Sequence, residues 1–95
     1  MEKNEHRLPA ILDLKAAAPL YGMLTAQRGV DLQISGAHVQ RLGAQCLQIL
    51  LSAQATWLAD GKTLTITEPS PELTSSVQLF GLDDPAIIFG QEHSA

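Results

Sequence analysis

Apolar positions along the chain fall into alternating runs and helical stripes that succeed one another in a regular order. Leu8, Ala10, Leu12 and Leu14 alternate with other residues, which predicts a first strand, and Pro9 assigns it to a sheet edge or a strand beginning. Pro19 fits the first turn of a helix, so a helix is predicted over about 17–27, with Leu20, Met23 and Leu24 inward and Gly29 as its stop. Val30, Leu32 and Ile34 alternate with Asp31 and Gln33, the pattern of a strand with one buried and one wetter face. Ser35-Gly36 ends that strand, and 35–41 reads as a loop.

A long helix follows, opening at Gly43. Its inward face is predicted as Gly43, Cys46, Leu47, Leu50, Ala53, Trp57 and Leu58, and its outward face as Gln45, Gln48, Ser52, Thr56 and Asp60. Gly61 stops it, and Thr63 to Thr67 alternate as a further strand. Glu68-Pro69 is a turn. Ser70 as N-cap, Pro71 as first helical residue and Glu72 at the positive dipole end then start a helix whose inward stripe is Leu73, Val77 and Phe80, closed by Gly81. Leu82 to Pro85 reads as a turn. Residues 1–7 are polar and predict a flexible start, 8–84 the folded domain, and 85–95 a short last strand, Ala86 to Phe89, or a packed tail.

Strand and helix in strict alternation predict an α/β fold with a largely parallel sheet, and one-sided alternation within the strands predicts helices chiefly on one face: a two-layer α/β domain. Whether the wetter face meets solvent or a second copy, as in a homodimer, stays open.

Composition narrows the function classes. The chain's 95 residues accommodate one domain, and 45% apolar content with 4% aromatics suits an aliphatic core. Charged residues make up 17%, below the roughly 25% of an average domain, so Gln, Ser, Thr and Ala supply much of the surface, which suits contact with another protein. A net charge of −4 with scattered Lys and Arg argues against nucleic acid. A lone Cys46 excludes an intramolecular disulfide, and the start of the chain carries no apolar leader, so a cytoplasmic location is expected. The stretch between Arg41 and Asp60 is free of charge but carries Gln45, Gln48, Ser52, Gln54 and Thr56, which predicts a half-buried helix and no insertion into membrane.

No catalytic constellation emerges. His6, His38 and His93 lack metal-ligand spacing, no Gly-x-Ser-x-Gly elbow or phosphate-cradling Gly loop occurs, and Cys46 reads as a core filler. No enzyme activity, metal or cofactor is expected. Tyr21 and Trp57 could each anchor an interface, with burial the plainer account of Trp57.

The run LDLKAAAPLYGMLTAQRGVDLQISGAHVQRLGAQCLQILLSAQATWLADGKTLTITEPSPELTSSVQLFGLDD resembles the STAS domain of bacterial anti-sigma factor antagonists and of sulfate transporter tails. Its order of strand and loop VDLQISGAHVQRL, helix GAQCLQILLSAQATWLADGK and closing segment TITEPSPELTSSVQLFGLDD carries the likeness. The resemblance implies a sheet of about four or five strands and a role as a protein-interaction switch. In the phosphorylatable branch an Asp-Ser-Ser-Gly-Leu run opens the central helix. Those positions fall here on Gly43, Ala44, Gln45, Cys46 and Leu47, so neither the Asp nor the phosphorylated Ser is present.

What the resemblance leaves is a docking surface expected at Ser35, Gly36, His38, Gln40, Arg41, Gly43, Ala44, Gln45 and Gln48. Three functions are open. One is an adaptor in bacterial signalling that binds a histidine kinase or anti-sigma kinase, with chemotaxis favoured by the Gln-rich helix that carries no Ser at its start. A second is the small regulatory STAS subunit of a lipid-transport ABC complex, contacting its ATPase subunit; Ala44 counts against it. A third is a ligand-binding or enzymatic domain with a pocket near Asp31, Ser35 and His38.

Overall fold

The computed structural model describes residues 6–82 and 86–90. Strands β1 (His6–Arg7), β2 (Ile11–Leu12), β3 (Leu32–Ser35), β4 (Arg41–Leu42) and β5 (Leu64–Thr67) and helices α1 (Leu14–Ala26), α2 (Ala44–Ala59), α3 (Pro71–Leu79) and α4 (Ala86–Phe89) follow in the order β1-β2-α1-β3-β4-α2-β5-α3-α4. Every pairing is parallel, and the strands form a three-stranded sheet in the order β1-β3-β5 and a two-stranded ladder β2-β4. The expected continuous sheet is therefore divided.

The division has a local cause. Between the β1–β3 and β2–β4 pairings one strand has the three residues 8–10 and the other the five residues 36–40. Ala10 carbonyl gathers the excess by accepting from both Gln40 N at 2.7 Å and Arg41 N at 3.2 Å. The extra length turns outward at Ala37 and His38 and returns through Val39, which is 1% exposed and plugs the core.

Side chains alternate as the sequence predicts. Leu32, Ile34, Leu64 and Ile66 face the core, while Gln33 is exposed and Ser35, Thr65 and Thr67 are half-buried. Leu20 and Leu24 of α1, Cys46, Leu47, Leu50, Ala53 and Trp57 of α2, and Leu73 and Val77 of α3 complete one hydrophobic cluster. Fully burying each Leu or Ile stabilises by about 1.5–3 kcal/mol relative to exposure.

Several boundaries differ from expectation. His6 and Arg7, expected to be flexible, form β1 against Ile34 and Ser35. The first strand breaks at Pro9, and Leu14, expected as its last inward residue, is the exposed start of α1. That helix starts well before Pro19 because Asp13 caps it, its carboxylate accepting from Ala16 N at 3.2 Å. Pro19 consequently lies inside the helix. Its missing N–H leaves the Lys15 carbonyl without its helical donor, which is tolerable because both residues are exposed and water can solvate the oxygen.

Leu58 and Phe80 are exposed, not inward. Leu58 sits one helical step beyond Trp57, past the edge of the buried stripe, and Phe80 is the C-cap, beyond the last turn of α3. Val30 precedes β3 and is exposed as well. Ala86–Phe89 is a short helix and not a strand, with Ile88 and Phe89 in the core. The expected flexible residues 1–5, the turn at 83–85, the tail 91–95 and His93 lie outside the described residues.

Candidate partner-docking surface

The amino end of α2 is chemically bare. Its N-cap, Gly43, offers no side chain to the first-turn amides, and no acidic residue follows in that turn. Gly43 instead donates its own N–H to Leu12 carbonyl at 2.9 Å, tying the helix start to β2. Ala44, Gln45 and Gln48 stand exposed beyond it, and Gly43 is half-buried. Unsatisfied amides and the helix dipole make this a locally positive end, yet residue 44 has no hydroxyl to carry a phosphate.

The preceding loop is pinned from below. Gly36 N donates to Thr67 carbonyl at 2.8 Å, and Gly36 carbonyl accepts from Val39 N and Ser70 N. A Cβ at Gly36 would come within 2.9 Å of Leu73 Cδ2 and 3.0 Å of Ile66 Cγ2, so only glycine lets the loop lie this close to α3 and β5. Gly36 is buried and cannot itself touch a partner, which corrects its place in the expected surface: it holds the loop in position. Ser70, the buried cap of α3, donates to Val39 carbonyl at 2.6 Å and accepts from Leu73 N at 3.0 Å.

Of the other expected residues, His38, Gln40 and Arg41 are exposed and Ser35 is half-buried. Ser35 Oγ accepts from Ala37 N at 3.3 Å, the chemistry of a turn. Arg7 Nη1 lies 3.5 Å from His38 Nε2, at the long limit of a hydrogen bond.

Asp31, Ser35 and His38 do not converge. Asp31 precedes β3 and accepts from Thr63 N at 3.0 Å, while Ser35 ends β3 and His38 follows it, so the strand's length separates the two groups. The bond from Thr63 holds the Asp31 carboxyl below the usual range. Burial pushes the Cys46 thiol up, with the Asp13 charge adding to the effect, and Cys46 Sγ lies 3.4 Å from Asp13 carbonyl. A buried thiol held protonated is a poor nucleophile. Among the described residues no group of three or more His, Cys, Asp or Glu could hold a metal.

The sequence matches the family model described as Mlab, STAS domain, over residues 7–89. The chain belongs to the STAS domain family. Comparison with curated proteins and with solved structures found no match. The matched region of the STAS domain extends past the expected boundary at 84 and takes in α4. Membership fits a non-catalytic role like that of an anti-sigma factor antagonist. Among the described residues no helix is long and apolar enough to cross a membrane.

One feature of the surface was only half legible in the residues. A groove of about 290 Å³ runs between α1 and α2, bordered by Tyr21 and Thr25 on one side and Gln45, Gln48 and Ser52 on the other. Tyr21 is 63% exposed, whereas Trp57 is 2% exposed and donates its indole N–H to Val30 carbonyl at 2.7 Å. The sequence marks both aromatics as candidate anchors, with burial the plainer account of Trp57, and the structure buries Trp57 and leaves Tyr21 exposed.

Proposed function

We propose that this STAS domain is a non-catalytic adaptor of bacterial signalling that binds a histidine kinase or anti-sigma kinase, in a chemotaxis pathway, through His38, Gln40, Arg41 and the amino end of α2. The observation that carries the reading is an exposed, uncapped helix start whose residue 44 is alanine. A phosphate there would add roughly −2 charge at a positive dipole end. With that switch absent, binding is constitutive and set by the concentrations of the two proteins.

Isothermal titration against a chemotaxis histidine kinase of the same organism tests the proposal. Gln45→Glu and Arg41→Glu are each expected to weaken binding without lowering the melting temperature, because both side chains are exposed. Unchanged affinity in both variants would remove this surface. Stoichiometric phosphate on Ser35 after incubation with kinase and ATP, seen by mass spectrometry, would overturn the constitutive reading. Selective binding to a transporter ATPase subunit, with the kinase ignored, would move the function to the transport branch.

A further inference from the structure

Helix α2 has no charged side chain over Ala44–Ala59, on a chain of net charge −4. Its exposed face, with Ala44, Gln45, Gln48 and Ser52, leads into the groove between α1 and α2. Ile49 and Ala53 lie deeper in that groove. Among the described residues its one lining cation, Arg28, is already matched: Nε reaches Asp60 Oδ2 at 2.9 Å and Nη2 reaches Oδ1 at 3.2 Å, so both carboxylate oxygens are engaged. That bond lowers the Asp60 pKa and raises that of Arg28.

Among the described residues, an occupant of this groove therefore finds no free charge in its lining to pair with. A charged segment laid here would lose hydration without gaining a counter-ion, while an uncharged one pays no such penalty. The walls are helices, so no strand edge is available for main-chain pairing, and the fitting partner is a side-chain seam. Tyr21 stands exposed at the rim with an apolar ring and a hydroxyl, the chemistry enriched among interface anchors.

We infer that the α1–α2 groove receives one helix of the partner protein, carrying a neutral seam of aliphatic and small residues, with Tyr21 as the anchor. This rests on the adaptor reading above and extends its docking surface from the amino end of α2 onto α1. Recognition is by shape and uncharged contact, so it is nearly independent of salt.

The test uses the full chain against a displayed library of single helices randomised along one face, and then against the kinase. Selected seams should be uncharged, and affinity should change by no more than about twofold between roughly 0.05 and 0.5 M salt. Tyr21→Ala, and Ser52→Arg at the groove wall, should each weaken binding about tenfold or more while melting as wild type does. Kinase binding should fall in the same two variants.

Charged seams, steep salt dependence, no selected binder, or wild-type affinity in both variants would overturn the inference. Kinase binding that responds to Gln45→Glu but not to Tyr21→Ala or Ser52→Arg would overturn the groove and leave the adaptor reading standing. A self-associated form dispersed by Tyr21→Ala in sedimentation velocity would put a second copy in the groove and overturn the partner-helix assignment.

Discussion

Ser70→Ala should destabilise the domain far more than its small change in volume suggests. Ser70 is 5% exposed and its hydroxyl acts in two directions, accepting from Leu73 N at 3.0 Å and donating to Val39 carbonyl at 2.6 Å. Losing the cap costs about 1 kcal/mol. Leaving a buried carbonyl without its donor costs about 1–3 kcal/mol more, and Val39 is 1% exposed, so water cannot readily replace the bond. The sum is about 2–4 kcal/mol, or a fall in melting temperature of roughly 10–20 °C for a domain of this size.

Urea unfolding followed by circular dichroism measures the change, and Ser70→Gly separates its parts. Glycine retains most of the capping preference, so this variant should recover about 1 kcal/mol relative to Ala and still fall short of wild type by about 1–3 kcal/mol. Hydrogen exchange at residues 37–41 should accelerate in both variants, because the Val39 bond ties that loop to α3. A Ser70→Ala loss below about 0.5 kcal/mol, or wild-type stability for Ser70→Gly, would refute the assignment of a shared cap and loop anchor.

Gly36→Ala should cost about 1–3 kcal/mol by overpacking against Leu73 and Ile66, and a double-mutant cycle with Leu73→Val in chemical denaturation should show coupling between the sites. Gln54→Glu should loosen α4, since Gln54 Nε2 donates to Leu64 carbonyl at 2.8 Å and Ile88 carbonyl at 2.9 Å, and a carboxylate would face those oxygens with no proton. Faster hydrogen exchange at Ile88 to Gly90 checks it. Asp31 and Asp60 are held below their ordinary range by Thr63 N–H and by Arg28 respectively, so the stability they add is present above the unfolded value of about 3.9 and is lost as pH falls through their folded values. Acid titrations of stability should flatten in Asp31→Asn and Asp60→Asn; an unchanged acid limb in both would show that neither bond favours the charged form.

Much of the architecture follows from local chemistry that needs no tertiary information. Alternation in 32–34 and 64–66 specifies strands, because a side-chain period of two can bury only one face. Ser70-Pro71-Glu72 specifies the start of α3, because it supplies an acceptor, a preset φ and a charge for orphan amides. Gly61 and Gly81 follow α2 and α3 with φ of +72° and +86°, a region closed to most other residues. The absence of a hydroxyl at residue 44 was likewise readable at once, because it depends on residue identity and order alone.

Tertiary structure decided the rest. Strand β4 has two residues and therefore no period to detect; it exists because Ala10 carbonyl reaches Gln40 and Arg41 amides from far along the chain. Gly36 changes from a surface residue to a buried one because Leu73 and Ile66 close over it, and neither is its sequence neighbour. The groove between α1 and α2, and the opposite fates of Tyr21 and Trp57, depend on how two helices cross on the sheet. Helical periodicity says which residues share a face and that the apolar face turns inward, but only packing says which part of the remaining surface is left open as a groove.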